Sequence, residues 1–204
     1  RFDLMGVLDI ETLNEARKAL LKINPDIIMY GEGWTGGEST LPESERGMKI
    51  NAPRTPGIGM FSDDIRDAVK GHVFYMDELG FVNGAADRGE ELKQAVTCAK
   101  WAKSPMQSIN YLSCHDNYTL WDRFIISNSH ESEEMRIRMN KLAAAILFTA
   151  QGIPFFLHGE EFARTKISEA DGAPVENSYC SPLSVNAIDY DRAEQFSDLK
   201  AYYK

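Results

Sequence analysis

Short apolar runs alternate with amphipathic segments along the chain. The apolar runs, rich in β-branched and aromatic residues, predict strands at residues 1–6, 26–34, 57–61, 107–114 and 152–159. The amphipathic segments carry apolar residues at helical spacing and predict helices over residues 11–23, 62–71, 90–102, 135–150 and 192–203. Residues 35–56, rich in Gly, Pro, Ser and Glu, predict a long loop. This order predicts parallel βαβ units in an α/β fold.

Polar side chains gather where the predicted strands end. They are Asp3, Glu32, Asp63, Asp64, His115, Asp116, Asn117, His158, Glu160 and Glu161. Catalytic residues of a (β/α)8 barrel come from the carboxyl ends of several strands. An open sheet with a dinucleotide site would carry a GxGxxG turn, and none occurs in the sequence. The pattern therefore favours a barrel over an open sheet.

Asp3 and Glu32 are the first candidate catalytic residues. They are separated by 32 − 3 = 29 residues, about one strand-helix repeat, so they should occupy corresponding heights on neighbouring strands. Neighbouring strands lie about 4.8 Å apart, close to the carboxyl spacing of about 5–5.5 Å in retaining glycosidases. Arg1 is expected to hold the Asp3 carboxylate ionised. Glu32, flanked by two glycines and Trp34, is expected to lie in an apolar setting that favours its protonated form.

The apolar run at 107–114 leads directly into three polar residues, His115, Asp116 and Asn117. A strand interior cannot cheaply bury these groups, so we expect them at its end, facing solvent or a ligand. Asp116 beside His115 is suited to binding sugar hydroxyls and to helping distort a sugar ring. Trp34 offers a flat apolar face of the kind that stacks on sugars, although a single Trp is more often core or rim.

Other polar residues have less specific roles. The acidic pair at 63–64 is more typical of a helix cap than of a site. Glu160 and Glu161 either line the rim of the pocket or pair with Arg164 and Lys166, and we favour the pairing for at least one of them. A calcium site made from loop carboxylates stays open, although no EF-hand spacing supports it.

Composition excludes several classes of partner. The chain is 43% apolar and 26% charged, which is ordinary for one large globular domain. A net charge of −9 without a basic cluster argues against nucleic acid. Three scattered cysteines suggest neither a disulfide framework nor a zinc site. No apolar stretch approaches the roughly 20 residues of a membrane span, and no signal-like start is visible, so the sequence leaves cytoplasmic and secreted locations open.

Three motifs, RFDLMG (1–6), YGEGW (30–34) and YLSCHDN (111–117), resemble in this order the strand-end motifs of the α-amylase superfamily of glycoside hydrolases. Four further stretches resemble its type I pullulanase branch: NYTLWD, GFVNG, FFLHGEEFARTK and NSYCSPLSVNAIDY. The resemblance implies that Asp3 is the nucleophile, Glu32 the acid/base and Asp116 the transition-state stabiliser. It also implies that Arg1 and His115 assist them, and Trp34 and Asn117 are taken as further substrate-binding residues.

The resemblance begins at the fourth strand of the family's barrel. Residues 1–204 are therefore expected to be the C-terminal five strand-helix units, strands four to eight, of a (β/α)8 catalytic domain truncated at its N-terminal side. Two stretches depart from the family pattern, at three positions in all. The family often shows FND where this chain has Phe61, Ser62 and Asp63, and it shows Asn and Asp where this chain has Cys180 and Leu183. The second departure bears on substrate preference more than on reaction type.

The function implied is retaining hydrolysis of α-1,6 branch linkages in pullulan, starch or glycogen, with no redox or nucleotide cofactor and with the 204-residue piece inactive alone. Another α-amylase-like hydrolase or a transglycosylase of the same superfamily is the alternative. A different class also stays open, a non-catalytic fragment that binds glucan weakly or forms a homodimer through open barrel edges, because unpaired strand edges invite association.

Overall fold

A parallel sheet runs through the chain in sequence order, in a computed structural model that describes residues 1–204. Its strands are β1 (Met29–Gly31), β2 (Ile58–Ser62), β3 (Ser108–Asn110) and β4 (Ile153–Pro154). β1 pairs in parallel with β2, and β2 pairs in parallel with β3. Phe2 adds a parallel bridge to Gly31 on the other side of β1. The predicted α/β class with a parallel sheet is thus confirmed.

Helices separate the strands, as the sequence predicts. They are α1 (Ile10–Leu21), α2 (Asp63–Lys70), α3 (Gly89–Val96), α4 (Leu120–Ser127), α5 (Glu133–Thr149), α6 (Leu183–Asn186), α7 (Asp191–Gln195) and α8 (Ser197–Tyr203). Short 3-10 turns lie at Met5–Val7, Glu43–Glu45, Lys49–Arg54, Phe81–Asn83, Ala86–Arg88, Pro105–Gln107 and Glu160–Phe162. None of the helices is both long enough and apolar enough to cross a bilayer.

Side-chain caps fix where the main helices begin. The Asp9 carboxylate accepts a hydrogen bond from the Thr12 amide at 2.7 Å at the start of α1. The Ser132 hydroxyl accepts one from the Met135 amide at 3.1 Å at the start of α5, whose first turn is acidic. Such caps satisfy amides that have no partner within the helix, and first-turn acids favour the helix dipole.

The chain forms two compact units. The first comprises residues 1–62, 97–110 and 151–153, and the second comprises residues 63–96, 111–150 and 154–204. The core of the first unit is made by Met5, Leu13, Met29, Ala52, Ile58 and Met60. The second unit has one core cluster around Ile65, Val69, Leu112, Phe124 and Leu147 and another around Trp121, Phe162, Phe196 and Leu199.

Several element boundaries differ from the prediction. β1, β3 and β4 are shorter than the apolar runs that predicted them, β2 is shifted by one residue, and residues 1–6 contribute only the Phe2 bridge. The predicted helix over 192–203 is broken at Phe196 into α7 and α8. α4 was not predicted, because its first turns bury the charged Asp122 and Arg123 together with apolar residues, so no amphipathic pattern marks it.

Candidate active site

Asp3 and Glu32 come together at the edge of the sheet. The Phe2 amide donates to the Tyr30 carbonyl at 2.9 Å, and the Glu32 amide donates to the Phe2 carbonyl at 3.0 Å. The register pairs Phe2 with Gly31. Asp3 and Glu32 are therefore the next residues on the two neighbouring parallel segments. An oxygen of the Asp3 carboxylate lies within 4.8 Å of one of Glu32. The neighbouring positions expected from the 29-residue spacing are present.

Gly31 permits the close approach that creates this register. A Cβ atom at Gly31 would lie 2.5 Å from the Phe2 carbonyl oxygen and 2.9 Å from the Phe2 Cβ. Real Cβ atoms do not tolerate such distances, so a larger residue would push the Phe2 segment and β1 apart. The glycine before Glu32 therefore sets the separation of the two carboxylates.

The backbone turns sharply directly after Asp3. Leu4 has a φ of 45° and a ψ of 46°, a left-handed conformation that costs free energy in a residue with a Cβ. This turn aims the Leu4 amide at Glu32, whose Oε2 accepts its hydrogen bond at 2.9 Å. Nothing in the sequence pattern predicts this contact, because Leu carries no preference for the left-handed region.

Arg1 contacts both carboxylates. One of its guanidinium nitrogens lies 2.9 Å from Oδ1 of Asp3 and 2.8 Å from Oε1 of Glu32, while its guanidinium carbon lies 5.6 Å from the centre of the Phe61 ring. Side-chain exposure is 61% for Asp3 and 2% for Glu32. The guanidinium offsets the repulsion between two close negative charges.

The expected apolar setting of Glu32 is wrong in one respect. The side chain is buried, as predicted, but its two oxygens accept hydrogen bonds from the Arg1 guanidinium and the Leu4 amide. Burial disfavours a carboxylate, whereas both donors stabilise it. The spacing along the strand predicts only the contact of Arg1 with Asp3, whereas the long Arg1 side chain reaches both acids.

Trp34 lies next to Glu32 in sequence and is partly exposed. Its ring is covered by the Lys49 ammonium, with Nζ 5.2 Å from the ring centre, and its carbonyl accepts from the Gly6 amide at 3.1 Å. A cation on a Trp face is a favourable contact. The stacking surface expected at Trp34 is therefore shared with a lysine.

His115, Asp116 and Asn117 lie in the second unit, after the end of β3. Nε2 of His115 lies 3.2 Å from Oδ1 of Asp116, and both side chains are about half exposed. Asn117 has a left-handed backbone with a φ of 57°, and its amide donates to Oδ1 of Asn177 at 3.1 Å. The three polar groups thus emerge into solvent, as the break in the apolar run predicts.

The predicted pairing of Glu160 or Glu161 with Arg164 or Lys166 is wrong. The buried Glu160 accepts a short hydrogen bond from the Ser113 hydroxyl, and Glu161 accepts one from the Gly159 amide at 2.9 Å. The 3-10 turn at Glu160–Phe162 directs Glu160 inward. Neither acid forms a salt bridge with those cations, because their turn places them against backbone and serine donors.

Buried charges lie behind the 113–117 segment. Burial raises the pKa of Glu160 to about 7, although the Ser113 hydrogen bond and the Lys70 charge oppose this rise. Burial, with the nearby Arg66, lowers the pKa of Lys70 to about 8. Lys70 was missed in the sequence, since a lysine at the end of an amphipathic helix is usually solvated.

The remaining candidates have structural surroundings. α2 begins at Asp63, so the acidic pair at 63–64, predicted as a helix cap, lies within the first turn of the helix. His158 Nε2 lies 3.3 Å from the Tyr190 hydroxyl. Two carboxylates can ligate a hard cation such as calcium, but between Asp3 and Glu32 the Arg1 guanidinium already supplies a positive charge.

No family model matches the chain. The pullulanase of Bacillus subtilis (strain 168) is 40% identical over 205 residues, covering 97% of the chain. The crystal structure of pullulanase from Paenibacillus barengoltzii in complex with maltohexaose and α-cyclodextrin covers 100% of the chain, with 45% identity and a TM-score of 0.90. The chain belongs to the pullulanase family. The structure of pullulanase type I from Bacillus subtilis str. 168 with maltose also covers 100% of the chain, at 39% identity and a TM-score of 0.92.

These pullulanases are much longer than the chain. The chain spans 28% of the curated Bacillus subtilis pullulanase and 32% of the Paenibacillus barengoltzii structure. The resemblance to the type I pullulanase branch predicted from the motifs is confirmed, and the fold matches part of the pullulanase structures.

Proposed function

We propose that this chain is part of a retaining glycoside hydrolase that cleaves α-1,6 branch linkages in α-glucans such as pullulan. The observation that carries the proposal is the pair of carboxylates of Asp3 and Glu32. An oxygen of one lies within 4.8 Å of an oxygen of the other, on neighbouring parallel segments at the edge of the sheet. A short carboxyl separation suits direct attack on an anomeric carbon, whereas inverting enzymes need a wider gap for water. The names of the relatives supply the substrate class.

In this proposal Asp3 is the nucleophile and Glu32 the acid/base. The more exposed Asp3 carboxylate attacks the anomeric carbon while Glu32 gives a proton to the departing glycosidic oxygen. The bond to that oxygen breaks, and a covalent glycosyl ester forms on Asp3. Glu32 then takes a proton from water, whose oxygen attacks the anomeric carbon and releases Asp3.

Arg1 has a double effect in this mechanism. Its guanidinium lies 2.9 Å from Asp3 and 2.8 Å from Glu32, and a cation beside a carboxyl group in general favours the carboxylate over the acid. Glu32 must carry a proton to act as the acid. We therefore infer that substrate binding loosens the Arg1 contact with Glu32 before proton transfer.

Asp116 and His115 are proposed to bind hydroxyl groups of the glucosyl ring. Their partly exposed polar atoms, 3.2 Å apart, offer one acceptor and one donor or acceptor. Hydrogen bonds to ring hydroxyls that strengthen as the ring flattens would stabilise an oxocarbenium-like transition state. Asn117 and Trp34 are proposed as further contacts to the glucan.

A chimera tests the catalytic assignment. The 204-residue chain replaces the matching segment of the Bacillus subtilis pullulanase, and release of reducing ends from pullulan is measured. We expect Asp3→Asn and Glu32→Gln each to lower kcat more than about 10³-fold, because each removes a group that takes part in bond making. With an α-maltosyl fluoride, whose leaving group needs no proton, azide should restore turnover to a Glu32→Ala variant at the deglycosylation step, because an anionic nucleophile needs no general base.

Two exposed acids serve as matched controls. Asp9→Asn keeps a good helix cap, and Glu15→Gln changes only a surface ion pair with Lys18. Both should leave turnover within about twofold of the parent. Full activity in Asp3→Asn would refute the assignment.

The products released from pullulan test which linkage is cleaved. Maltotriose as the main product supports α-1,6 cleavage, since pullulan joins maltotriose units by α-1,6 bonds. Panose-type products would support the α-amylase-like alternative.

We also propose that the 204-residue chain alone does not hydrolyse pullulan. It covers 28% of the Bacillus subtilis relative, so most residues of that enzyme have no counterpart in it. A substrate pocket that lacks part of its walls holds the reacting atoms less accurately, and an error of about 1 Å costs about a hundredfold in rate.

A further inference from the structure

The 113–117 segment, which carries His115 and Asp116, is held from one side by residues of the 160–177 segment. Glu160 accepts a hydrogen bond from the Ser113 hydroxyl, and Asn177 accepts one from the Asn117 amide. Between these two contacts, Nζ of Lys166 donates to the His115 carbonyl oxygen at 3.2 Å. The Lys166 bond therefore acts on the peptide that joins His115 to Asp116.

Lys166 is itself fixed in place. Its backbone amide donates to Oδ2 of Asp122 at 2.9 Å, and the hydroxyl of its neighbour Thr165 donates to the other oxygen of the same carboxylate. Asp122 lies in the buried first turn of α4. The lysine thus links a rigid helix to the loop that carries the candidate residues.

The charge of Lys166 is expensive where it lies. The residue is only 3% exposed, and its ammonium donates to a main-chain carbonyl oxygen. Burial and the nearby Arg164 lower the pKa of Lys166, while Cys114, Asp122 and Asp116 oppose this effect. A neutral side chain of similar length would fill this space at lower cost. A buried cation directed at one main-chain carbonyl therefore points to a role beyond packing.

We propose that Lys166 is a positioning residue for Asp116. By holding the His115 carbonyl, its ammonium fixes the peptide from which the Asp116 side chain extends and restrains the left-handed backbone that follows at Asn117. The inference rests on the proposed function, in which Asp116 stabilises the transition state. Misplacing that carboxylate by about 1 Å would lower the rate by about a hundredfold.

The first test measures steady-state kinetics in the chimera. Lys166→Met keeps the length of the side chain and removes its hydrogen-bond donors. We expect kcat on pullulan to fall about 10- to 100-fold with KM changed by less than about threefold, since the interaction affected is made in the transition state. Lys166→Arg, which keeps a cationic donor, should recover part of the loss. Lys93→Met, at a solvent-exposed surface pair with Glu90, should behave as the parent.

A double-mutant cycle separates positioning from a general loss of structure. If Lys166 acts through Asp116, adding Lys166→Met to Asp116→Asn should change the residual kcat by less than about threefold. A loss as large as in the parent background would overturn the inference. A different result would contradict the proposed function. If Asp116→Asn alone kept the activity of the parent, Asp116 would not stabilise the transition state.

A measurement on the 204-residue chain itself does not depend on activity. Amide hydrogen exchange should speed up about tenfold or more at residues 115–117 in Lys166→Met and stay unchanged in α5. Unchanged exchange at 115–117 would overturn the inference. If Lys166→Met does not fold, Lys166→Gln gives the same comparison, because its shorter neutral side chain also removes the ammonium that donates to the His115 carbonyl.

Discussion

At the scale of single residues, one guanidinium nitrogen of Arg1 joins the Asp3 and Glu32 carboxylates. Asp3 and Glu32 could be identified because their spacing matches one strand-helix repeat, and the structure places them side by side. The sequence could not show that Arg1 contacts both acids or that Leu4 turns its amide toward Glu32. Such contacts depend on side-chain reach and local backbone strain, which leave no periodic signal.

Glu160 gives a residue-scale prediction about stability and pH. Its pKa in the folded chain is about 7, above its ordinary value of 4.5, because the carboxyl is buried. Between pH 4.5 and 7 the folded state holds a proton that the unfolded state has lost, so stability falls as the pH rises. Over this window the parent should lose about 1–3 kcal/mol more free energy of unfolding than Glu160→Gln, which cannot titrate.

Urea unfolding of the 204-residue chain at pH 5, 6 and 7 measures this difference. The matched control is Glu134→Gln, whose side chain is 75% exposed in a surface pair with Arg138. Its curve should run parallel to that of the parent. A Glu160→Gln curve that also runs parallel to the parent would contradict the prediction.

At the scale of elements, the order of strands and helices was predictable and the boundaries were not. The order followed from apolar runs alternating with amphipathic segments, which reflects burial on two faces of a parallel sheet. α4 was not predicted because a charged residue, Asp122, occupies a core position, where it accepts hydrogen bonds from residues 165 and 166. Burial of a charge depends on distant partners that a local pattern does not contain.

Gly31 gives a prediction at this scale. Gly31→Ala would place a Cβ 2.5 Å from the Phe2 carbonyl oxygen, so the Phe2 bridge to β1 must widen or break. We expect a loss of about 1–3 kcal/mol in free energy of unfolding, as for other overpacked sites. The control is Gly37→Ala, where no atom lies within 4 Å of the added carbon. Equal stability of the two variants in urea unfolding would argue against a tight approach at Gly31.

At the scale of the whole molecule, the motifs gave the family and the fold class, which the comparisons confirm. The roles of Asp3, Glu32 and Asp116 stay predictions, as does the placement of residues 1–204 as strands four to eight of a barrel. Periodicity reports which faces of the chain are buried, whereas closure of a barrel depends on strand number and shear.

The inactivity proposed for the isolated chain is tested at this scale. The purified 204-residue chain is incubated with pullulan, and the release of reducing ends is measured. The rate is compared with that of the chimera at equal molar concentration. We expect no release above that of the Asp3→Asn chain, with circular dichroism showing that both are folded. Release that disappears in Asp3→Asn would instead show a self-sufficient enzyme, because only the parent then turns over.

The guanidinium shared by Asp3 and Glu32 also has an electrostatic consequence. When both acids are ionised, two negative charges face one positive charge, so the Arg1, Asp3 and Glu32 group carries a formal excess of one electron charge. In the proposed mechanism that excess is absent while Glu32 carries its proton, because Arg1 then balances Asp3 alone. It returns as the proton moves to the glycosidic oxygen, at the stage when the ring gains positive character and a negative surrounding stabilises it.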